Sequence, residues 1–118
     1  MAIEIGSKGL VEVDLILPQS TSLSFTVVHK DDQGNIIDHS ESVANMAFQT
    51  RDKQTTWDLD SCCTCSEEGV SVTVPSDISA SLPTGKLVWD LIVDMGEEQT
   101  RLCYGTVVVV DTYAMDGA

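Results

Sequence analysis

The chain has 118 residues, 42% of them hydrophobic, which suits one domain with a packed core and leaves no room for a second. Nineteen acidic residues oppose six basic ones, for a formal net charge of −13. Such a field repels nucleic-acid phosphates and anionic lipid, so we expect neither a nucleic-acid nor a membrane partner. The charge favours high solubility, and a partner with a basic patch is compatible with it.

The two ends of the chain are expected to lie outside the folded domain. The first residues lack the basic start and apolar stretch of a signal peptide, and no run approaches membrane-spanning length, so synthesis and residence in the cytoplasm are expected. We place an N-terminal docking segment at 1–9, the domain at 10–112 and a short tail at 113–118. Short end segments often become ordered only on binding. The predicted docking residues are Ile3, Ile5, Tyr113 and Met115.

The first half of the chain predicts short strands separated by turns. Residues with high strand preference indicate strands at 11–17, 23–29, 44–51 and 55–59. Residues 31–35 include Gly34 and Asn35, which tolerate the positive φ of a tight turn. They predict a hairpin whose return strand begins at Ile36.

The second half carries the strongest strand signal. Strands are indicated at 70–74, 87–94 and 101–111, with one helical turn at 76–82. Alternation places Leu87, Trp89, Leu91 and Val93 on one face, so Trp89 is expected to be buried. The last two strands flank a loop at 96–98 and are expected to pair as an antiparallel hairpin.

The fold class follows from this pattern. No segment shows a long helical period, and neither repeats nor βαβ units occur. Several short strands with regular turn signals are typical of a sandwich or a small barrel. The sequence therefore predicts an all-β protein, a single-domain antiparallel β-sandwich that is immunoglobulin-like or a small barrel.

The sequence offers no catalytic constellation. Its two histidines, His29 and His39, accompany no nucleophile motif, and the serine-elbow, zinc-protease and phosphate-loop motifs are absent. His29 precedes Lys30 and the acidic turn, so it is expected at the surface end of a strand. We predict a protein that is not an enzyme and has no cofactor.

The four cysteines are the remaining residues with distinctive chemistry. Cys62 and Cys65 have the spacing of a zinc-binding pair, and folding would have to bring Cys103 and a fourth ligand to them. That ligand would be Cys63 or a histidine, yet adjacent residues of an extended chain face opposite sides. The favoured interpretation is reduced cysteines that act as small apolar residues in a loop and a strand. We predict no metal, with Cys62, Cys65 and Cys103 as the zinc alternative.

Two stretches of the chain resemble a known family. The first is a strand and acidic turn at 24–38. The second contains the turn Leu82-Pro83-Thr84-Gly85, the strand Trp89-Asp90-Leu91 and an Arg-Leu-x-x-Gly-x-Val-x-Val strand at 101–109. In order and spacing these features resemble small β-sandwich proteins of bacteriophage virions, similar to the N-terminal domain of the baseplate upper protein. The resemblance covers residues 23–38 and 69–111, and the chain departs from the pattern at 39–40, 62–65 and 111–113.

The resemblance implies a virion building block without catalytic residues. A tail, baseplate or fibre-attachment adaptor that forms a homo-oligomer and docks on other virion proteins is the leading expectation. A decoration protein on the capsid surface is the alternative. A carbohydrate- or small-ligand-binding sandwich is the alternative of another class, and it depends on an exposed aromatic platform. The available rings are Trp57, Trp89, Tyr104 and Tyr113, and Trp57 is the ring whose position tests this alternative.

Overall fold

The computed structural model describes residues 2–111, which fold into two β-sheets around one core. The strands are β1 Ala2–Ile5, β2 Val11–Glu12, β3 Leu15–Pro18, β4 Leu23–His29, β5 Val43–Gln49, β6 Thr56–Asp58, β7 Cys63–Ser66, β8 Gly69–Val74, β9 Gly85–Asp94 and β10 Gln99–Val110. A 3-10 turn at Asp60–Cys62 precedes β7, and a short helix, α1 at Ser76–Ser81, follows β8. No helix within residues 2–111 has the length and apolar character needed to span a membrane.

The two sheets differ in size and both are mixed. The smaller sheet has the order β1-β4-β8-β7, and the larger has the order β2-β10-β9-β5-β6, with β3 also paired to β10. The predicted all-β, single-domain sandwich is confirmed. Most neighbouring strands are antiparallel as expected, including the β9–β10 hairpin. The pairs β1–β4, β2–β10 and β3–β10 are parallel, because these N-terminal strands cross between sheets and do not return through hairpins.

The predicted strand at 11–17 is interrupted in the middle. Val13 and Asp14 separate β2 from β3, and both short strands lie beside the single long strand β10. The Asp14 carboxylate accepts hydrogen bonds from the amide and hydroxyl of Thr106, at 3.1 and 2.9 Å. These two hydrogen bonds lower the pKa of Asp14. Gly105 allows this close approach, because a Cβ atom there would lie 2.1 Å from the Val13 carbonyl oxygen.

Trp89 lies at the centre of the core, as its alternating strand predicts. Its side chain is 3% exposed and meets the ring of Phe25 edge to face, with centroids 5.9 Å apart. The indole Nε1 donates a hydrogen bond of 2.8 Å to the Val13 carbonyl. The tryptophan thus packs between the two sheets and also ties β9 to the interrupted edge strand.

Segment 1–9 does not lie wholly outside the sandwich as expected, while docking through this segment stays a prediction. Residues 2–5 are strand β1 of the sandwich, paired in parallel with residues 26–29 of β4. A parallel neighbour this distant in sequence produces no local turn signal, so the strand could not be distinguished from a free end. The return strand expected at Ile36 is also wrong: Ile36 makes one isolated bridge with Lys30 and does not begin a strand.

Candidate functional site

The two histidines form a buried pair. His29 ends β4 and His39 lies in the loop before β5, yet their side chains are 1% and 0% exposed. Nδ1 of His29 lies 2.9 Å from Nε2 of His39, and the rings are stacked with an interplanar angle of 8°. The prediction that His29 lies at the surface is wrong. The loop at 31–39 turns back over the end of β4 and covers it.

Each histidine has a second hydrogen-bond partner. Nε2 of His29 lies 3.1 Å from the Ser7 carbonyl oxygen, so it donates, and Nδ1 is left to accept from His39. His39 Nδ1 lies 2.9 Å from the Ser42 hydroxyl. The chain of hydrogen bonds is complete with both rings neutral. Burial lowers the pKa of His39, with a further contribution from His29, while Asp38 raises it.

The four cysteines are free thiols, and burial disfavours their ionisation. Burial is the main cause that raises the pKa of Cys63 and of Cys103 to about 12, and it also raises the pKa values of Cys62 and Cys65. Cys63 and Cys65 belong to β7, where a loop was expected, while Cys103 is in a strand as predicted. Within residues 2–111, no group of three or more histidine, cysteine or acidic side chains is arranged to hold a metal ion, and the zinc candidates Cys62, Cys65 and Cys103 form no such group.

The predicted docking residues have different positions. Ile5 is 2% exposed and belongs to the core, so its side chain is not available to a partner. Ile3 is partly buried and packs against the same core. Tyr113 and Met115 lie outside the described residues. What β1 does offer is a backbone edge, because it is the outermost strand of the smaller sheet.

Trp57 does not form an exposed platform. It lies in β6, opposite Phe48 of β5, and its partly buried side chain packs against the core. Neighbours opposite each other in a sheet point to the same face, so Trp57 points inward with Phe48. An exposed Trp57 ring would have favoured a carbohydrate site there, and Trp57 instead packs against the core.

The outer face of the smaller sheet carries few charged side chains. Small hydroxyl residues occupy its centre, where Ser24 and Thr26 of β4 lie opposite Thr73 and Ser71 of β8. The hydroxyl pairs are 3.3 and 3.4 Å apart. The charged neighbours Glu4 and Lys30 form an ion pair of 2.5 Å. In a chain of net charge −13, this face is a surface where another protein can approach without strong repulsion.

The outer face of the larger sheet has a different character. Tyr104 of β10 lies opposite Asp90 of β9, and beside them Val88 lies opposite Gln49 of β5. These four side chains line a cleft of about 280 Å³, to which the loop between β5 and β6 contributes Lys53. Sequence reasoning named Tyr104 only as one of four available rings, because the other residues come from separate strands and have no shared motif.

Of the comparisons with known proteins, the comparison with solved structures gives a match. No family model matches the sequence, and no curated protein matches it significantly. Among solved structures, the chain is similar to the N-terminal domain of phage TP901-1 ORF48, with a TM-score of 0.55 and 8% sequence identity. The match covers 92% of this chain and 95% of that domain. At this identity the likeness concerns the fold alone.

Proposed function

We propose that this protein is a non-enzymatic structural subunit of a bacteriophage virion. The observation that carries the proposal is the fold match with the phage TP901-1 ORF48 domain, which extends over nearly the whole of both chains. The motif resemblance at 23–38 and 69–111 points to the same class of protein. Within that class we favour a tail, baseplate or fibre-attachment adaptor, with capsid decoration as the competing location.

The surroundings of the histidine and cysteine side chains also agree with a role in binding and not in catalysis. His29 and His39 use their ring nitrogens on each other, on the Ser7 carbonyl and on the Ser42 hydroxyl. Burial raises the pKa of the Cys63 and Cys103 thiols to about 12. The histidine nitrogens have structural partners in place of a substrate, and the two thiols ionise with difficulty, which supports a subunit that acts by assembly.

We infer that the outer face of the smaller sheet is the main docking surface, either for a second copy or for another virion protein. Ser71 is exposed on β8, an inner strand of that sheet, and Thr64 lies beside it on β7. Small side chains on this face permit close approach of a partner, and the low local charge reduces repulsion between acidic subunits.

The test is to locate the protein in purified phage particles by mass spectrometry and cryo-electron microscopy. Density on the tail or baseplate supports the adaptor, density on the head surface supports decoration, and absence from particles rejects the virion assignment. The variant Ser71→Arg should prevent incorporation while the purified variant keeps its melting temperature. Asn45→Arg, at an exposed position of β5 on the other sheet, is the matched control and should be incorporated normally. Equal incorporation of both variants would reject the proposed docking surface.

A further inference from the structure

The cleft on the larger sheet combines side chains that are unusual for this acidic chain. Its lining includes Tyr104, Val88, Asp90, Arg101, Gln49 and Lys53. Two of the six basic residues of the protein are therefore in one small depression. Counting the one aspartate of the lining, the formal charges of the lining residues sum to +1, while Glu12 of β2 lies just outside the lining, opposite Tyr104.

Tyr104 and Val88 provide the apolar part of the cleft. Both are partly exposed, on neighbouring strands of a rigid sheet. The face of an aromatic ring carries negative potential and attracts polarised C–H groups. A pyranose ring has one face of such C–H groups, so Tyr104 can serve as a platform for a sugar.

Arg101 and Asp90 provide paired donors and acceptors. Nη2 of Arg101 lies 3.5 Å from Oδ2 of Asp90, and the side chains are 51% and 35% exposed. The guanidinium has five donors and the carboxylate only accepts, so the pair leaves both kinds of group free. Each sugar hydroxyl both donates and accepts, so neighbouring hydroxyls match such a pair better than a purely anionic or purely apolar ligand does.

Lys53, which lines the cleft, has an unfavourable backbone conformation. Its φ is 63°, a left-handed conformation that disfavours a residue with a side chain by about 1 kcal/mol. The loop fixes this conformation, because Lys53 donates its amide to the Thr50 carbonyl at 2.8 Å and Asp52 accepts from Thr50 and Gln54. Within residues 2–111, Lys53 forms no ion pair with a carboxylate. Its ammonium group is therefore free for a negatively charged ligand.

We propose that this cleft binds a pyranose saccharide that carries one negative group, a carboxylate or a phosphate. Tyr104 stacks on the sugar ring, Arg101 and Asp90 bind its hydroxyls, and Lys53 binds the negative group. A volume of about 280 Å³ accommodates a single ring. Two further acidic residues are close by, Glu12 opposite Tyr104 and Asp52 next to Lys53, so the negative group has to be held by direct contact with the Lys53 ammonium.

The test is a titration of the isotope-labelled full chain with D-glucuronate and with D-glucose 1-phosphate, followed by amide NMR shifts. D-glucose and acetate are the reference probes. We expect saturable shifts at Val88, Tyr104 and Gly105 with at least one of the charged sugars, and weaker binding of glucose. Lys53→Ala should weaken binding of the charged sugar about tenfold, the loss of one charge-assisted hydrogen bond, and leave glucose unaffected. Tyr104→Ala should abolish binding of every sugar.

Lys86→Ala is the matched control, because Lys86 lies on the same sheet face beside Val108 and does not line the cleft. It should bind like the unmodified protein, and the spectrum of each variant reports its folding. The proposal is overturned if neither charged sugar shifts these amides, if Lys53→Ala and Lys86→Ala behave alike, or if acetate binds as well as the charged sugars.

Discussion

The imidazole rings of His29 and His39 are joined by a 2.9 Å hydrogen bond in a site that solvent does not reach. The bond connects the end of β4 to the loop that leads into β5. The hydrogen bond from His29 to the Ser7 carbonyl also connects the segment that follows β1. The pair thus fixes three separate parts of the chain at one edge of the sandwich. Because the network is complete with neutral rings, its stability depends on pH.

We expect the free energy of unfolding to fall as the pH decreases from 7.5 to 5. The pKa of His39 is lowered in the folded state, so below its ordinary value of 6.5 the unfolded chain binds more protons than the folded chain. For one proton the slope is at most about 1.4 kcal/mol per pH unit. Urea unfolding at several pH values measures it. The variant His39→Gln should be less stable at pH 7.5 but should lose most of this slope, and an unchanged slope would contradict the assignment.

Gly105→Ala should strongly destabilise the protein. The added Cβ would lie 2.1 Å from the Val13 carbonyl oxygen, and the backbone at φ +155° disfavours a side chain. Gly85→Ala is the matched control, because Gly85 also has a positive φ, +122°, but has no neighbouring atom within 4 Å of the added Cβ. Urea unfolding should show that the Gly105 variant loses about 2–4 kcal/mol more than the Gly85 variant. Equal losses would mean that β2 and β3 do not approach β10 this closely.

Trp89→Phe should lower the free energy of unfolding by about 3 kcal/mol, because it removes the hydrogen bond to the Val13 carbonyl and leaves space in the core. Trp57→Phe, at a partly buried position on edge strand β6, should lower it by less than half as much. Thermal and urea unfolding of both variants make the comparison. A larger loss at Trp57 would contradict the central position of Trp89.

The cysteines should react with a thiol reagent in the order of their accessibility. Cys62 and Cys65 are partly exposed, so they should be modified first in the folded protein at pH 8. Cys103 is fully buried and its pKa is raised to about 12, so it should be modified only when the chain unfolds. Mass spectrometry of peptides from partly labelled protein gives the order. A chelator should leave the melting temperature unchanged, and a decrease would instead favour a metal at Cys62, Cys65 and Cys103.

The strands could be read from the sequence wherever a local pattern defined them. The alternation of Leu87, Trp89, Leu91 and Val93 predicts both strand β9 and the burial of Trp89, and both are found. The hairpin of β9 and β10 follows from a short loop between two such patterns. These features depend on residues close together along the chain, and side-chain direction alternates there with a fixed period.

The candidate site could be predicted only in part. Tyr104 was recognised as an available ring, while its neighbours Lys53 and Gln49 carry no signal of a shared role. The cleft exists because β5, β9 and β10 lie side by side and the loop after β5 holds Lys53 above them. Strand order and loop geometry are set by packing of the whole chain, so no short stretch of sequence contains them.

The sequence by itself determined the all-β fold, the burial of Trp89 and the strongly acidic surface, because periodicity and composition act locally or over the whole chain. Only the tertiary structure decided that Ile5 belongs to the core, that His29 is buried against His39 and that Gly105 receives the Val13 carbonyl. Each of these relations joins residues that are distant along the chain. Their contact depends on strand register and on how the sheets pack, which are properties of the folded molecule.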